Sequence, residues 1–230
     1  MILNDLSLSV RRGAITLLIG PNGAGKSTVL KTLFGLLKPR QGRVLLEGEE
    51  VTGASPRTLL ARGIAFVPQG RNLFPQLTVA QNLELGGITL GKRITRERID
   101  EVLELFPRVR ERLQSQASAL SGGEQKQLEI ARALLLRPRV LLIDEPSIGL
   151  SPIVVQDVFR LLRNLVSQGT TVLMVEQNVK SALKVADEAI ALESGRMVLA
   201  RPAGELLADP HIERLFLGGA APVPVTDHVA

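Results

Sequence analysis

The chain has 230 residues, long for one compact domain and short for two, which fits a single α/β core carrying a smaller insertion. An apolar fraction of 45% excludes a mainly disordered chain, and the absence of cysteine excludes a disulfide framework and leaves any metal to oxygen or nitrogen ligands. The net charge of +5 invites anionic partners, yet aromatics make up only 3% and Tyr and Trp are absent, so the stacking platforms that nucleic acid needs are missing. No run of ~18 apolar residues occurs to span a bilayer. Met1 to Val10 carries Asn4 and Asp5 and lacks the layout of a cleavable signal.

In chain order, Leu6, Leu8 and Val10 alternate with Ser7 and Ser9, which predicts a half-buried strand. Ala14 to Ile19 is a continuous apolar run, the pattern of a strand buried on both faces. A glycine-rich loop follows, then a helix ending near Gly35. Val44 to Leu46 and Ile64 to Val67 predict further strands. Residues 70–119 change character to helix-rich and charged, with a capping box at Thr78 to Gln81 and a helix over Ile94 to Phe106. This stretch reads as an inserted helical subdomain between core segments 1–69 and 120–219, with 220–230 a loose tail. The α/β pattern then resumes: helix over Ser121 to Leu136, strand at Val140 to Ile143, amphipathic helix over Pro152 to Val166 and strand at Thr171 to Val175. Ala189 to Leu192 and Met197 to Ala200 flank Ser194-Gly195, a hairpin signal.

Gly20-Pro21-Asn22-Gly23-Ala24-Gly25-Lys26-Ser27-Thr28 matches the P-loop pattern, with a buried strand before it and a helix after. Glycines let backbone N–H groups turn toward phosphate oxygens, and the helix that starts near Lys26 adds the positive end of its dipole. Lys26 is the residue to reach β- and γ-phosphates, and Ser27 to ligate Mg²⁺ through its hydroxyl. Val140-Leu-Leu-Ile-Asp144-Glu145 places two carboxylates where a buried strand emerges. Asp144 is positioned to hold Mg²⁺, and Glu145 to polarise an attacking water. In Leu120-Ser121-Gly122-Gly123-Glu124-Gln125, Ser121 and Glu124 form a capping box, which needs neither glycine. Two helix-weakening glycines make sense where a phosphate must approach the backbone, which suggests a second phosphate-binding helix end and a site composed from two chains.

The P-loop, Leu-Ser-Gly-Gly-Glu-Gln and Ile-Asp-Glu-Pro, in this order, resemble the ATP-binding subunits of ABC transporters over nearly the whole chain. The resemblance implies an ABC-type P-loop NTPase core with an antiparallel β subdomain and the inserted helical subdomain. It also implies ATP and Mg²⁺ as cofactors, and a head-to-tail dimer, with itself or a paralogue, in which the loop of Lys26 faces Ser121, Gly122 and Gly123 of the other chain. A separate integral membrane permease is implied as partner, with the chain peripheral on the cytoplasmic face of the inner or plasma membrane. Gln69 matches the glutamine that senses Mg²⁺ and the γ-phosphate, Ser147 to Ser151 the loop that crosses the dimer interface, and Gln177 the catalytic switch position. Phe74 and Leu77 are candidate anchors for the permease.

Val67-Pro-Gln-Gly-Arg-Asn-Leu-Phe74, Pro146-Ser-Ile-Gly-Leu-Ser-Pro152, Val175-Glu-Gln-Asn178 and Leu215-Phe-Leu-Gly-Gly219 are similar to an ATPase subunit of branched-chain amino acid importers. Urea and amide importers are close neighbours, and a non-transport ABC ATPase or a nucleotide-binding switch are the other readings. Three departures stand out. Gln177 replaces the usual histidine, and an amide can hydrogen-bond a phosphate but cannot carry a proton-linked charge. Ser151 replaces an aspartate. The chain also begins after the extra strand and adenine-stacking aromatic of its relatives, its first aromatic being Phe34. That implies weak ATP binding with poor base selectivity, or a true start upstream.

Overall fold

A computed structural model describes residues 2–91 and 94–209. The expected tail and the Leu215–Gly219 segment lie outside them. The chain runs β1 (Ile15–Ile19), α1 (Lys26–Leu33), β2 (Leu45–Leu46), β3 (Glu49–Glu50), α2 (Pro56–Ala61) and β4 (Ile64–Val67). Then come α3 (Val79–Glu84), α4 (Arg96–Leu103), α5 (Pro107–Arg110), α6 (Gly122–Leu134), β5 (Val140–Asp144) and α7 (Pro152–Ser167). The described chain closes with β6 (Thr171–Val175), α8 (Val179–Leu183), β7 (Glu188–Glu193), β8 (Arg196–Pro202) and α9 (Ala203–Ala208).

Six strands form one sheet in the order β4-β5-β6-β1-β7-β8, parallel except for the last pair. The central strands are buried along their whole length because helices cover both faces. The two-residue period divides them between two cores. Ile15, Leu17 and Ile19 join Leu141, Ile143, Val172 and Met174 on one side, against α6 and α7. Leu18, Leu142, Leu173 and Val175 face Val29 and Leu30 of α1, Phe34 just beyond its end and Leu59 of α2 on the other. β2 and β3 pair antiparallel, Leu45 with Glu50, as the small second sheet that was expected.

Residues 70–119 are helical among the described residues, apart from one isolated bridge between Thr78 and Gln116. Thr78 caps α3 in the expected box with Gln81. The helix expected over Ile94 to Phe106 is shorter, Arg96–Leu103, because Thr95 caps it and Pro107 cannot continue it. Val79, Leu83, Val102, Leu103, Phe106 and Val109 bury into the same core as Leu128 and Ile130 of α6. The hairpin turns at Ser194 and Gly195, both with positive φ (48° and 78°), the geometry a two-residue turn demands.

One expected strand does not form. Leu6, Leu8 and Val10 pack against the core while Ser7 and Ser9 are exposed, so the alternation is real. However, among the described residues no ladder accompanies it; just before it, Asn4 N–H donates to Gly195 O at 3.0 Å. Alternation reports which side is buried, and a ladder needs a partner edge as well.

Candidate active site

The site forms where the parallel strands end. β4, β5, β6 and β1 are neighbours pointing the same way, so the residues just beyond their carboxyl ends converge on one edge. After β1, Gly20 has φ 148°, and a Cβ there would sit 2.1 Å from the carbonyl oxygen of Leu192 in β7. Only glycine allows that approach. Gly23 (φ 82°) and Gly25 (φ 102°) complete the turn into α1, whose first N–H groups receive no side-chain cap. Those amides and the helix dipole form an anion cradle.

Lys26 is buried, and its Nζ donates to Gly20 O at 2.7 Å and Pro21 O at 3.0 Å. Burial pulls its ammonium below the ordinary lysine value, opposed by the charges of Glu145 and Asp144. Ser27 Oγ donates to Asp144 Oδ1 at 3.2 Å, linking α1 to β5. Burial pushes the Asp144 carboxyl above the usual aspartate range, partly offset by that hydrogen bond.

Glu145 is 6% exposed and has φ 49°, a conformation unfavourable for a residue with a Cβ and common at functional sites. Its N–H donates to Val175 O at 2.9 Å, which pins the turn to β6. Gln69, after β4, donates its amide to Oε2 at 2.7 Å, and Gln177, after β6, donates to Oε1 at 2.9 Å. Loops from three strands therefore meet on one carboxylate. The loop beyond Gln69 is held to α6: Asn72 N–H donates to Glu129 Oε1 at 2.6 Å, Arg132 donates to Asn72 O, and Lys126 pairs with Glu129 at 2.6 Å.

Ser121 caps α6, with the reciprocal box to Glu124 in place. The two glycines differ. A Cβ on Gly123 would lie 2.8 Å from Val154 Cγ1 of α7, so helix packing is sufficient reason for glycine there. A Cβ on Gly122 would meet nothing closer than Gly149 O at 3.9 Å, an ordinary contact, so packing does not demand glycine there. Among the described residues no hydrogen bond joins Ser121, Gly122 or Gly123 to the loop of Gly20 to Thr28. Phe34 is not at the site: it is buried, with its ring 5.4 Å from Phe66. Phe74 is 51% exposed beneath the Arg132 guanidinium, and Leu77 is half-buried.

Sequence reasoning missed Glu176, a carboxylate 1% exposed that accepts hydrogen bonds from Ser147 and Asn178. The signal was present, because Glu176 leaves a buried strand as Asp144 and Glu145 do.

The ABC transporter family model matches residues 3–148, and the chain belongs to this family of ATP-hydrolysing cassettes. It is 46% identical to the high-affinity branched-chain amino acid transport ATP-binding protein BraG of Pseudomonas aeruginosa, over 94% of this chain and 93% of that protein. It is 41% identical to the probable branched-chain amino acid transport ATP-binding protein LivF of Archaeoglobus fulgidus, over 94% and 92%. Among solved structures it resembles a nucleotide-free ATP-binding cassette from an ABC transporter (TM-score 0.85, 29% identity, 93% of this chain and 92% of that one). It also resembles a dimeric bacterial ABC transporter cassette (TM-score 0.78, 29% identity, 88% and 90%). Among the described residues no helix is long and apolar enough to cross a membrane.

Proposed function

We propose that this chain is the ATP-hydrolysing subunit of a branched-chain amino acid importer and works head to tail with a second such chain, its paralogue or itself. The observation that carries the reading is the meeting of Lys26, Ser27, Asp144, Glu145, Gln69 and Gln177 at one strand edge in a chain 46% identical to BraG. ATP phosphates lie on Gly20 to Thr28, and Lys26 exchanges the two loop carbonyls for β- and γ-phosphate oxygens. The other chain's Ser121, Gly122 and Gly123 close over the γ-phosphate with the uncrowded start of α6.

Ser27 and Asp144 place two oxygens side by side, the donor type Mg²⁺ takes, with the Gln69 amide oxygen as a third. Mg²⁺ bound there supplies neutralisation of the phosphate charge. Glu145 orients a water in line with the γ-phosphorus and takes its proton as the new P–O bond forms and the bond to the β-bridging oxygen breaks. Gln177, which here holds Oε1 of Glu145, can pass its N–H to a γ-phosphate oxygen and so free that carboxylate oxygen for the water. The site then hydrolyses when the γ-phosphate is there to receive the amide.

The membrane partner is a permease that seats on the Gln69 to Phe74 loop, with exposed Phe74 as an anchor and Leu77 behind it, at the cytoplasmic face of the membrane. ATP turnover measured at several protein concentrations, with and without Mg²⁺, tests the core reading. More than linear growth with concentration, lost in Glu145→Gln, supports a composite site; Mg²⁺-independent turnover that survives the substitution rejects it. Recovery of permease with Phe74→Asp tests the docking, and unchanged recovery removes that part.

A further inference from the structure

Glu176 is a deeply buried carboxylate that the hydrolytic scheme does not use. One oxygen accepts the Ser147 N–H at 2.7 Å. The other accepts the Ser147 hydroxyl at 2.7 Å and the Asn178 N–H at 3.2 Å. These partners are neutral groups, and burying a carboxylate is costly even when hydrogen bonds satisfy it. Burial accordingly pushes its pKa above the ordinary glutamate value.

The bonds close a ring. Ser147 lies two residues after Glu145, and Asn178 directly follows Gln177. Gln177 therefore sits between two residues that are both pinned, Glu176 by Ser147 and Asn178 by Glu176. From that position it reaches back 2.9 Å to Glu145. Beyond Ser147 the same loop brings Gly149 O to 3.9 Å from the place where a Gly122 side chain would begin.

We infer that Glu176 is a positioning residue that aims Gln177 at Glu145, with Ser147 as its fixed point. The inference rests on the hydrolytic roles proposed for Glu145 and Gln177. The start of α8 holds this short loop from one side, Val179 N–H donating to Gln177 O at 2.9 Å, and the ring through Glu176 holds it from the other; a misplacement of about 1 Å at a reacting site can cost a hundredfold in rate.

The test is a double-mutant cycle on the full chain, in the assembly in which the unaltered chain turns over ATP. Glu176→Gln keeps the side-chain volume but replaces an acceptor oxygen with an NH₂ that must face a donor. Its kcat is expected to fall about tenfold or more, with KM for ATP within about twofold. In a Gln177→Ala background the same substitution is expected to cost less than about twofold, because its effect runs through Gln177. A residue that only supports packing would give equal losses in both backgrounds, and that result overturns the inference, as does an unchanged kcat in Glu176→Gln. Should Glu176→Gln fail to fold, Ser147→Ala removes one bond of the ring and is judged by the same cycle. Glu145→Gln, run alongside, separates the two failures. If it keeps full turnover, the hydrolytic reading falls; if it is inactive while Glu176→Gln is not, only the positioning role falls.

Discussion

The side-chain amide of Gln177 reaches Oε1 of Glu145 across 2.9 Å, joining the loop after β6 to the end of β5. Gln69 reaches the other oxygen at 2.7 Å, so the carboxylate proposed to act on water is held from both sides. Substituting Glu145 by Gln removes the proton acceptor while keeping the shape. Turnover is expected to fall by about 10²–10⁴-fold. Binding of ATP to the Lys26 loop is expected to be retained. Single-turnover hydrolysis measured beside nucleotide affinity checks both halves.

An amide does not titrate in the physiological range, so Gln177 adds no ionisation to the pH–rate profile. In Gln177→His the imidazole brings a pKa of about 6.5 into the site. A new inflection between about pH 5.5 and 7.5 is expected in the variant and not in the parent. Matched kcat profiles across that range read it, and superimposable curves would remove the switch role from position 177.

Gly122 and Gly123 at the start of α6 are expected to separate stability from activity. Gly123→Ala drives a methyl to 2.8 Å from Val154, an overpacking that costs about 1–3 kcal/mol and lowers Tm by several degrees. Gly122→Ala meets only an ordinary contact, Gly149 O at 3.9 Å, so it is expected to keep or slightly raise Tm, alanine being up to about 1 kcal/mol better in a helix. If a partner's phosphate approaches Gly122, that same variant loses turnover. Thermal melts paired with ATPase assays decide; full activity in Gly122→Ala would argue against the composite site.

Asp187 accepts the Ile15 N–H at 2.8 Å and bridges to Arg163 of α7 at 2.8 Å, tying the central strand to a helix. Burial alone would raise its pKa, but those donors and the charges of Arg163 and Arg11 hold it below the ordinary aspartate value. A depressed folded-state pKa contributes stability that is present above about pH 3.8 and lost as pH falls through the lower folded value. Solvent screens this partly exposed pair, so Asp187→Asn is expected to lower stability at pH 7 by about 1 kcal/mol or less, and by progressively less in acid below pH 4. Urea midpoints at pH 7 and pH 3 test the sign, and an equal deficit at both would contradict it.

The local chemistry was legible in the residue order. The spacing from Gly20 to Ser27 needs no tertiary knowledge, because the turn, the cradle and the helix start are set by neighbours in the chain. The same holds for the Ser121 and Thr78 capping boxes and for the apolar runs of β1, β5 and β6, whose length and hydrophobicity report burial on both faces.

What only the tertiary structure decided depends on strand order and on contacts between distant segments. Nothing local says that β4, β5, β6 and β1 lie side by side, yet that order alone brings Gln69 and Gln177, separated by more than a hundred residues, onto one carboxylate. Leu6 to Val10 has a strand's alternation but, among the described residues, no partner edge, and a hydrogen-bond ladder is a property of two segments. Packing against Val154 of α7 gives Gly123 a reason that no local pattern shows, and Glu176 was one acidic residue among 23 until the fold buried it against Ser147. Composition and spacing determined which chemistry this chain could carry; packing decided which residues stand close enough to perform it, because distance in the chain does not limit distance in the fold.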